Sequence, residues 1–166
     1  LHGPALKALH ELMEGPLQAA ETPAIDRAYD PKPDYLQAVT RRVRLTRPMR
    51  IAIDCGNGAT GVMARPLFEA LGCGVVMLFD EVEGDFPNHH PEPANPANLE
   101  DLIAAVRRHN CELGLAFDGD GDRLGVVTPA GEIIWPDRQL ILFAEDILTR
   151  QPGSTIIYDV KCSRHV

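Results

Sequence analysis

Apolar residues recur at helical spacing at the start of the chain, where Leu6, Leu9 and Met13 share one stripe of residues 4–14. Gly15 and Pro16 stop that pattern. Residues 15–34 have no periodicity and carry Pro16, Pro23, Pro31 and Pro33, which reads as a linker. A helix is expected from about Asp34, with Tyr35, Leu36 and Val39 facing inward and Arg41, Arg42 and Arg44 on a solvated face.

Beyond residue 50 the period alternates. "RIAID" (50–54) is a short apolar run of strand formers; glycines follow, then a helical pattern with Leu67, Phe68 and Leu71 that Gly72 closes as a C-cap. "GVVMLF" (74–79) is a second strand, and a long loop rich in proline and histidine comes after it. "NLEDLIAAVRRHN" (98–110) places Leu99, Leu102, Ile103 and Val106 on one helix face behind a cap at Asn98. "LGLAF" (113–117) is a third strand. "RLGVV" and "EIIW" read as two short strands joined by a turn at Pro129 to Gly131. Asp137 is placed as the cap of a helix running to about Arg150, and "STIIYDV" (154–160) as the start of another strand. Strands alternating with helices predict an α/β fold, an open mixed, mostly parallel sheet flanked by helices. Ligands of such sheets bind beyond the carboxyl ends of the strands.

Composition narrows the options. The chain has 166 residues, 45% of them apolar, enough for one domain with a true core and pieces of its neighbours. A formal charge of −8 argues against nucleic-acid and membrane-surface partners, which select basic faces. No apolar run approaches the roughly 18 residues of a membrane span. The opening segment has neither an initiator methionine nor a signal-peptide pattern, so a chain cut from something longer is expected. Cys55, Cys73, Cys111 and Cys162 are widely separated, which gives no zinc framework and fits reduced thiols in a cytoplasmic protein.

Two stretches bear candidate chemistry. "GNGATG" (Gly56–Gly61) satisfies G-x-G-x-x-G after a predicted strand, with Asp80 about twenty residues on, as in a dinucleotide-binding oxidoreductase domain. Asp54 would oppose a pyrophosphate there, and Pro66 delays the helix whose N-terminus should hold it, so a tight glycine turn is the favoured account. The other is "FDGDGDR". Asp118, Asp120 and Asp122 stand at alternate positions between glycines, and so many close carboxylates call for a cation. An EF-hand is excluded, because its sixth and twelfth positions would be Arg123 and Pro129. With no His or Cys in the loop, a hard ion such as Mg²⁺ or Ca²⁺ is indicated rather than zinc. Arg123 adds a forked donor suited to phosphate, and cation plus arginine at a strand end points to phosphoryl transfer. A cation-binding module without chemistry is the non-enzymatic alternative.

Together with this loop, "DCGNGATG", "GDFPNHHPEP", "LGLAFDGDGDRLGVV" and "IIYDVKCSRHV" resemble the α-D-phosphohexomutases, in particular the bacterial phosphomannomutase/phosphoglucomutase branch, from about Tyr35 to the last residue. The resemblance implies a phosphoserine that exchanges phosphate with a sugar phosphate through a bisphosphate intermediate. It implies Mg²⁺ on Asp118, Asp120 and Asp122, Arg123 beside the phosphate, and Lys161 reaching the substrate. It further implies the division 1–33 as the tail of a first domain and linker, 34–152 as the metal-binding second domain, and 153–166 as the first strand of a third. Nothing here resembles the family's phosphoserine loop, approximately T-A-S-H-N-P, so the chain alone is expected to be inactive. Its partners would be the phosphosugar and the remaining domains of the enzyme. For His89 and His90 an ordered loop is favoured over ligand contact, and Arg138 is a candidate interdomain contact.

Overall fold

A computed structural model describes residues 3–16 and 25–166, in two compact units, 1–31 and 32–166. In the first unit, helix α1 (Gly3–Glu14) carries the expected apolar stripe, and none of its residues is buried. Of the stretch expected to be a linker, residues 17–24 lie outside the described residues.

The second unit opens with α2 (Lys32–Thr40), two residues earlier than expected, with Pro33 in its first turn, where a missing N–H does no harm. Leu36 and Val39 are half-buried, but Tyr35 is exposed, contrary to the inward placement. Arg41, Arg42 and Arg44 are solvated, as the pattern implies.

Strands β1 (Arg50–Asp54), β2 (Gly74–Leu78), β3 (Leu113–Phe117), β4 (Leu124–Val127) and β5 (Ile133–Ile134) form one sheet in the order β2-β1-β3-β4-β5. β1 lies between β2 and β3, parallel to both, with Ile53 opposite Met77 and Leu115. β4 runs antiparallel to β3 and to β5, so the fold is the expected mixed sheet, with β4 alone reversed. A central parallel strand is covered on both faces, and β1 from Ile51 onward is buried throughout.

Alternate residues of β1 sort into two cores. Ile51, Ile53 and Cys55 pack with Leu115 and Ala64, beside Phe68 of α3 (Ala64–Ala70). Ala52, with Ala116 and Val127, packs against Leu102 and Val106 of α4 (Glu100–Arg108). Gly72, at φ +90°, follows the end of α3 as the sequence implied. The helix expected to be capped by Asn98 begins otherwise: Asn95 caps a 3-10 turn at Pro96–Leu99, its side chain accepting from the Ala97 N–H at 3.2 Å, and α4 follows at Glu100. Proline at the first position of that turn moves the start forward.

Helix α5 (Pro136–Arg150) starts two residues early, at Pro136 with Trp135 as its cap, so Asp137 lies inside its first turn instead of capping it. There its carboxylate accepts from the N–H groups of Arg138 (2.9 Å) and Ser163 (3.2 Å). Residues 154–160 do not form the expected strand. Strand formers need a neighbour to complete a ladder, and none stands beside them among the described residues, where Ile157 and Val160 are 89% and 97% exposed. All four cysteines are free, and burial pushes the Cys55 thiol up to about 11, so it is an inert core thiol.

Gly114 of β3 sits beneath α4, where an added Cβ would stand 2.7 Å from Val106 Cγ2 and 3.1 Å from Val127 Cβ. Gly114→Ala is expected to lower stability by about 1–3 kcal/mol through overpacking. Urea unfolding monitored by circular dichroism checks this; an unchanged midpoint would contradict the packing described.

Candidate metal centre

Asp54 and Asp118 lie at the carboxyl ends of the adjacent parallel strands β1 and β3, the end of the sheet at which ligands of such folds bind. After β3 the chain turns through residues 118–123 and returns as β4, with Gly121 at φ +79°. Asp118 is 1% exposed yet ionic. One of its oxygens accepts from the Arg123 backbone N–H at 3.0 Å, and the other from Arg123 Nε–H at 2.7 Å. Burial alone would push the Asp118 carboxyl up; these bonds outweigh it and hold it below the usual carboxylate range.

Asp120 and Asp122 are exposed, and ligand oxygens of the three aspartates all lie within 4.8 Å of one another. The Asp122 carboxyl is raised, first by a hydrogen bond with Asp118 and then by the charges of Asp120 and Asp118. Three convergent carboxylates, with no nitrogen or sulfur ligand among them, suit a hard divalent cation, and their mutual repulsion is what such an ion relieves. Among the described residues this is the one group of three acids or metal-ligating side chains so placed.

Arg123 is 59% exposed. Its Nε is committed to Asp118, while Nη1 lies 3.8 Å from Glu92. Beside it is a groove of about 280 Å³ lined by Pro93, Leu124, Ile133 and Trp135. Lys161 is not joined to this cluster: its ammonium pairs with Asp159 at 3.6 Å, in a second groove that shares Trp135 and Pro136 with the first. Arg138 is solvated, and its backbone N–H donates locally to Asp137 Oδ1 at 2.9 Å.

The glycine motif serves the aspartate loop. The Ala59 N–H donates to the Gly119 carbonyl at 2.9 Å, and a Cβ on Gly58 would stand 2.8 Å from that oxygen. At Gly61 a Cβ would overlap the Asp80 carbonyl. A 3-10 turn, Ala59–Val62, precedes the short α3, so no long helix N-terminus faces the glycines. Their spacing is therefore explained by two loops packing backbone to backbone.

Three residues escaped the reading of the sequence. Asp54 is fully buried, accepting from the Gly56 N–H (2.8 Å) and facing His89 Nε2 (3.1 Å); burial raises its carboxyl. Asn57, at φ +58°, is buried and ties down the long loop, donating to the Glu81 carbonyl and accepting from Asn88. Glu92 lies beside Arg123. An acid closing a buried strand was the available signal, since it requires a donor and this chain offers one in a proline-held loop. His89 and His90 are in ordered contacts, the latter edge-on to Phe86 at 6.2 Å.

The fold and the loop define an α/β/α domain with a carboxylate cation loop at the carboxyl end of its sheet. The family described as "Phosphoglucomutase/phosphomannomutase, alpha/beta/alpha domain II" matches residues 33–131, and the chain belongs to it. The chain is 50% identical over 161 residues to a phosphomannomutase/phosphoglucomutase of Pseudomonas aeruginosa, covering 97% of this chain and 35% of that protein. It is 58% identical over 131 residues to a phosphoglucomutase of Neisseria meningitidis, covering 79% and 28%. A crystal structure of a phosphoglucomutase/phosphomannomutase family protein from Burkholderia thailandensis aligns with a TM-score of 0.79 at 56% identity, over 82% of this chain and 30% of that one. The chain thus spans about a third of the length of the curated relatives it matches.

A carboxyl raised in the folded state binds protons more readily there than in the unfolded chain, so its ionisation as pH rises removes stability. In the cation-free chain, Asp122→Asn is expected to raise the urea midpoint at about pH 7, and to raise it less near pH 4, where the wild-type group is partly protonated. Equal midpoints at the higher pH would show that the carboxylates do not strain the loop.

Proposed function

We propose that this chain is the metal-binding domain of a phosphohexomutase that interconverts the 6- and 1-phosphates of mannose and glucose. The observation that carries it is the convergence of Asp118, Asp120 and Asp122 at the carboxyl end of β3, in a chain of this family. The three carboxylates would hold Mg²⁺, which when bound neutralises phosphate charge during transfer.

Asp118 anchors the loop, while Asp120 and Asp122 have the exposure and freedom to adjust to an ion. Arg123, fixed at Nε by Asp118, keeps its terminal nitrogens as donors to a phosphate on the same side. Lys161 would reach the phosphosugar after moving from Asp159. The phosphoserine and the surfaces that select the sugar would come from the rest of the enzyme, with residues 1–33 ending a preceding domain, 34–152 forming this one and 153–166 leading into the next. A cytoplasmic setting suits phosphosugar chemistry; no described helix is long and apolar enough to cross a membrane.

In the enzyme containing this chain, chelation is expected to abolish conversion of glucose 1-phosphate and mannose 1-phosphate, and Mg²⁺ to restore it. Asp120→Asn should lower kcat by about a hundredfold or more, while the 166-residue chain alone shows no turnover. Full activity in the substituted enzyme would refute the assignment of the three aspartates.

A further inference from the structure

The segment 79–93 covers the aspartate loop. Phe86 and Pro91 lie against Gly119, Pro93 against Gly125, and Glu92 beside Arg123. Two aromatic residues of the segment, Phe79 and Phe86, are held at φ +51° and +48°, a region that side chains of their size rarely adopt. A backbone kept in that region is over-determined by its surroundings, and the anchor here is buried.

That anchor is Asp54 with His89. His89 Nε2 faces Asp54 Oδ2 at 3.1 Å, and Nδ1 faces the His90 carbonyl at 3.0 Å. The same carbonyl accepts from the Glu92 N–H at 2.8 Å. Both ring nitrogens therefore face oxygen, and the carbonyl can only accept. For both contacts to be hydrogen bonds, ring and carboxyl together must hold two protons, either as imidazolium with carboxylate or as neutral imidazole with carboxylic acid. Losing one of them sets lone pair against lone pair in either tautomer. Asp54 has the Gly56 N–H as its other donor, and Asp101 of α4 acts on it as a like charge. Gly56 and the edge of Phe79, 5.3 Å away, face the ring and carry no charge.

We propose that Asp54 and His89 are positioning residues, a two-proton clamp that seats residues 86–93 and through Phe86, Pro91 and Glu92 fixes the aspartate loop and Arg123. Raising the pH removes one proton and loosens the cover. The effect on cation binding rests on the Mg²⁺ reading above; the effect on the loop does not.

The test uses the labelled 166-residue chain, following the His89 ring nitrogens and the Gly119 and Gly121 amides by NMR, with and without Mg²⁺. In the metal-free wild type, the glycine amides are expected to shift with the same pH midpoint as the His89 ring. Mg²⁺ affinity should fall about tenfold across that midpoint, and His89→Ala should show the weaker value throughout. Asp54→Asn is the discriminating variant. Its carboxamide accepts from the Gly56 N–H and donates to a neutral ring, so it needs no extra proton. Through the pH range of the wild-type His89 transition it should keep the wild-type low-pH amide positions and affinity, which a merely structural role for Asp54 does not predict. Glycine amides indifferent to the His89 transition would overturn the proposal, as would a pH dependence in Asp54→Asn equal to that of wild type. If the wild type binds no Mg²⁺, the cation reading fails, and the metal-free amides still decide the clamp.

Discussion

Two hydrogen bonds from Arg123 to one buried carboxylate, that of Asp118, give the aspartate loop its shape. A carboxylate removed from water must be paired, and here the partner comes from the far end of the same turn, so pairing the charge also closes the loop. The β3–β4 register, with Phe117 opposite Leu124, holds the two ends in place. Asp120 and Asp122 then stand outside the pair, close enough to repel and open to solvent. One carboxylate is fixed and two are adjustable. That division suits a cation that retains water and meets a phosphate, since a rigid cage of protein ligands would leave it no open position.

Much of this was legible because it is local. β1 and β3 match the apolar runs 50–54 and 113–117 residue for residue, since each run of strand formers finds a parallel neighbour to pair with. The three aspartates were legible because alternation with glycine in one loop already brings them together. Helix starts were misplaced where proline opened the turn, at Pro96 and Pro136, ahead of the polar residue taken as the cap. Asp54 was the larger miss. Its partner is 35 residues away, and only the sheet and the returning loop bring them together; read alone, it was merely a charge unfavourable to a pyrophosphate. Residues 154–160 have strand-forming composition and find no strand to pair with among the described residues.

The glycine motif shows how one spacing supports two physical accounts. A dinucleotide turn needs glycines so that phosphate can approach the backbone in front of a helix. Here another stretch of backbone makes that approach, Gly119 at Gly58 and Asp80 at Gly61. The steric demand is the same and the visitor differs. The residue before the motif tells them apart, because a buried acid already engaged by Gly56 and His89 belongs to a packed structural corner.

The contrast between the hairpin and its cover bears on how the domain assembles. Every carboxylate of the cluster hangs between two paired strands, so the chain entropy of gathering them is that of closing one short loop. The segment over the loop waits on β1, β2 and the contact between Asp54 and His89. Hairpins close in microseconds, whereas pairings between distant segments are slower. Gathering the three carboxylates therefore depends on one local pairing, whereas seating the segment against Gly119 depends on contacts between distant parts of the chain.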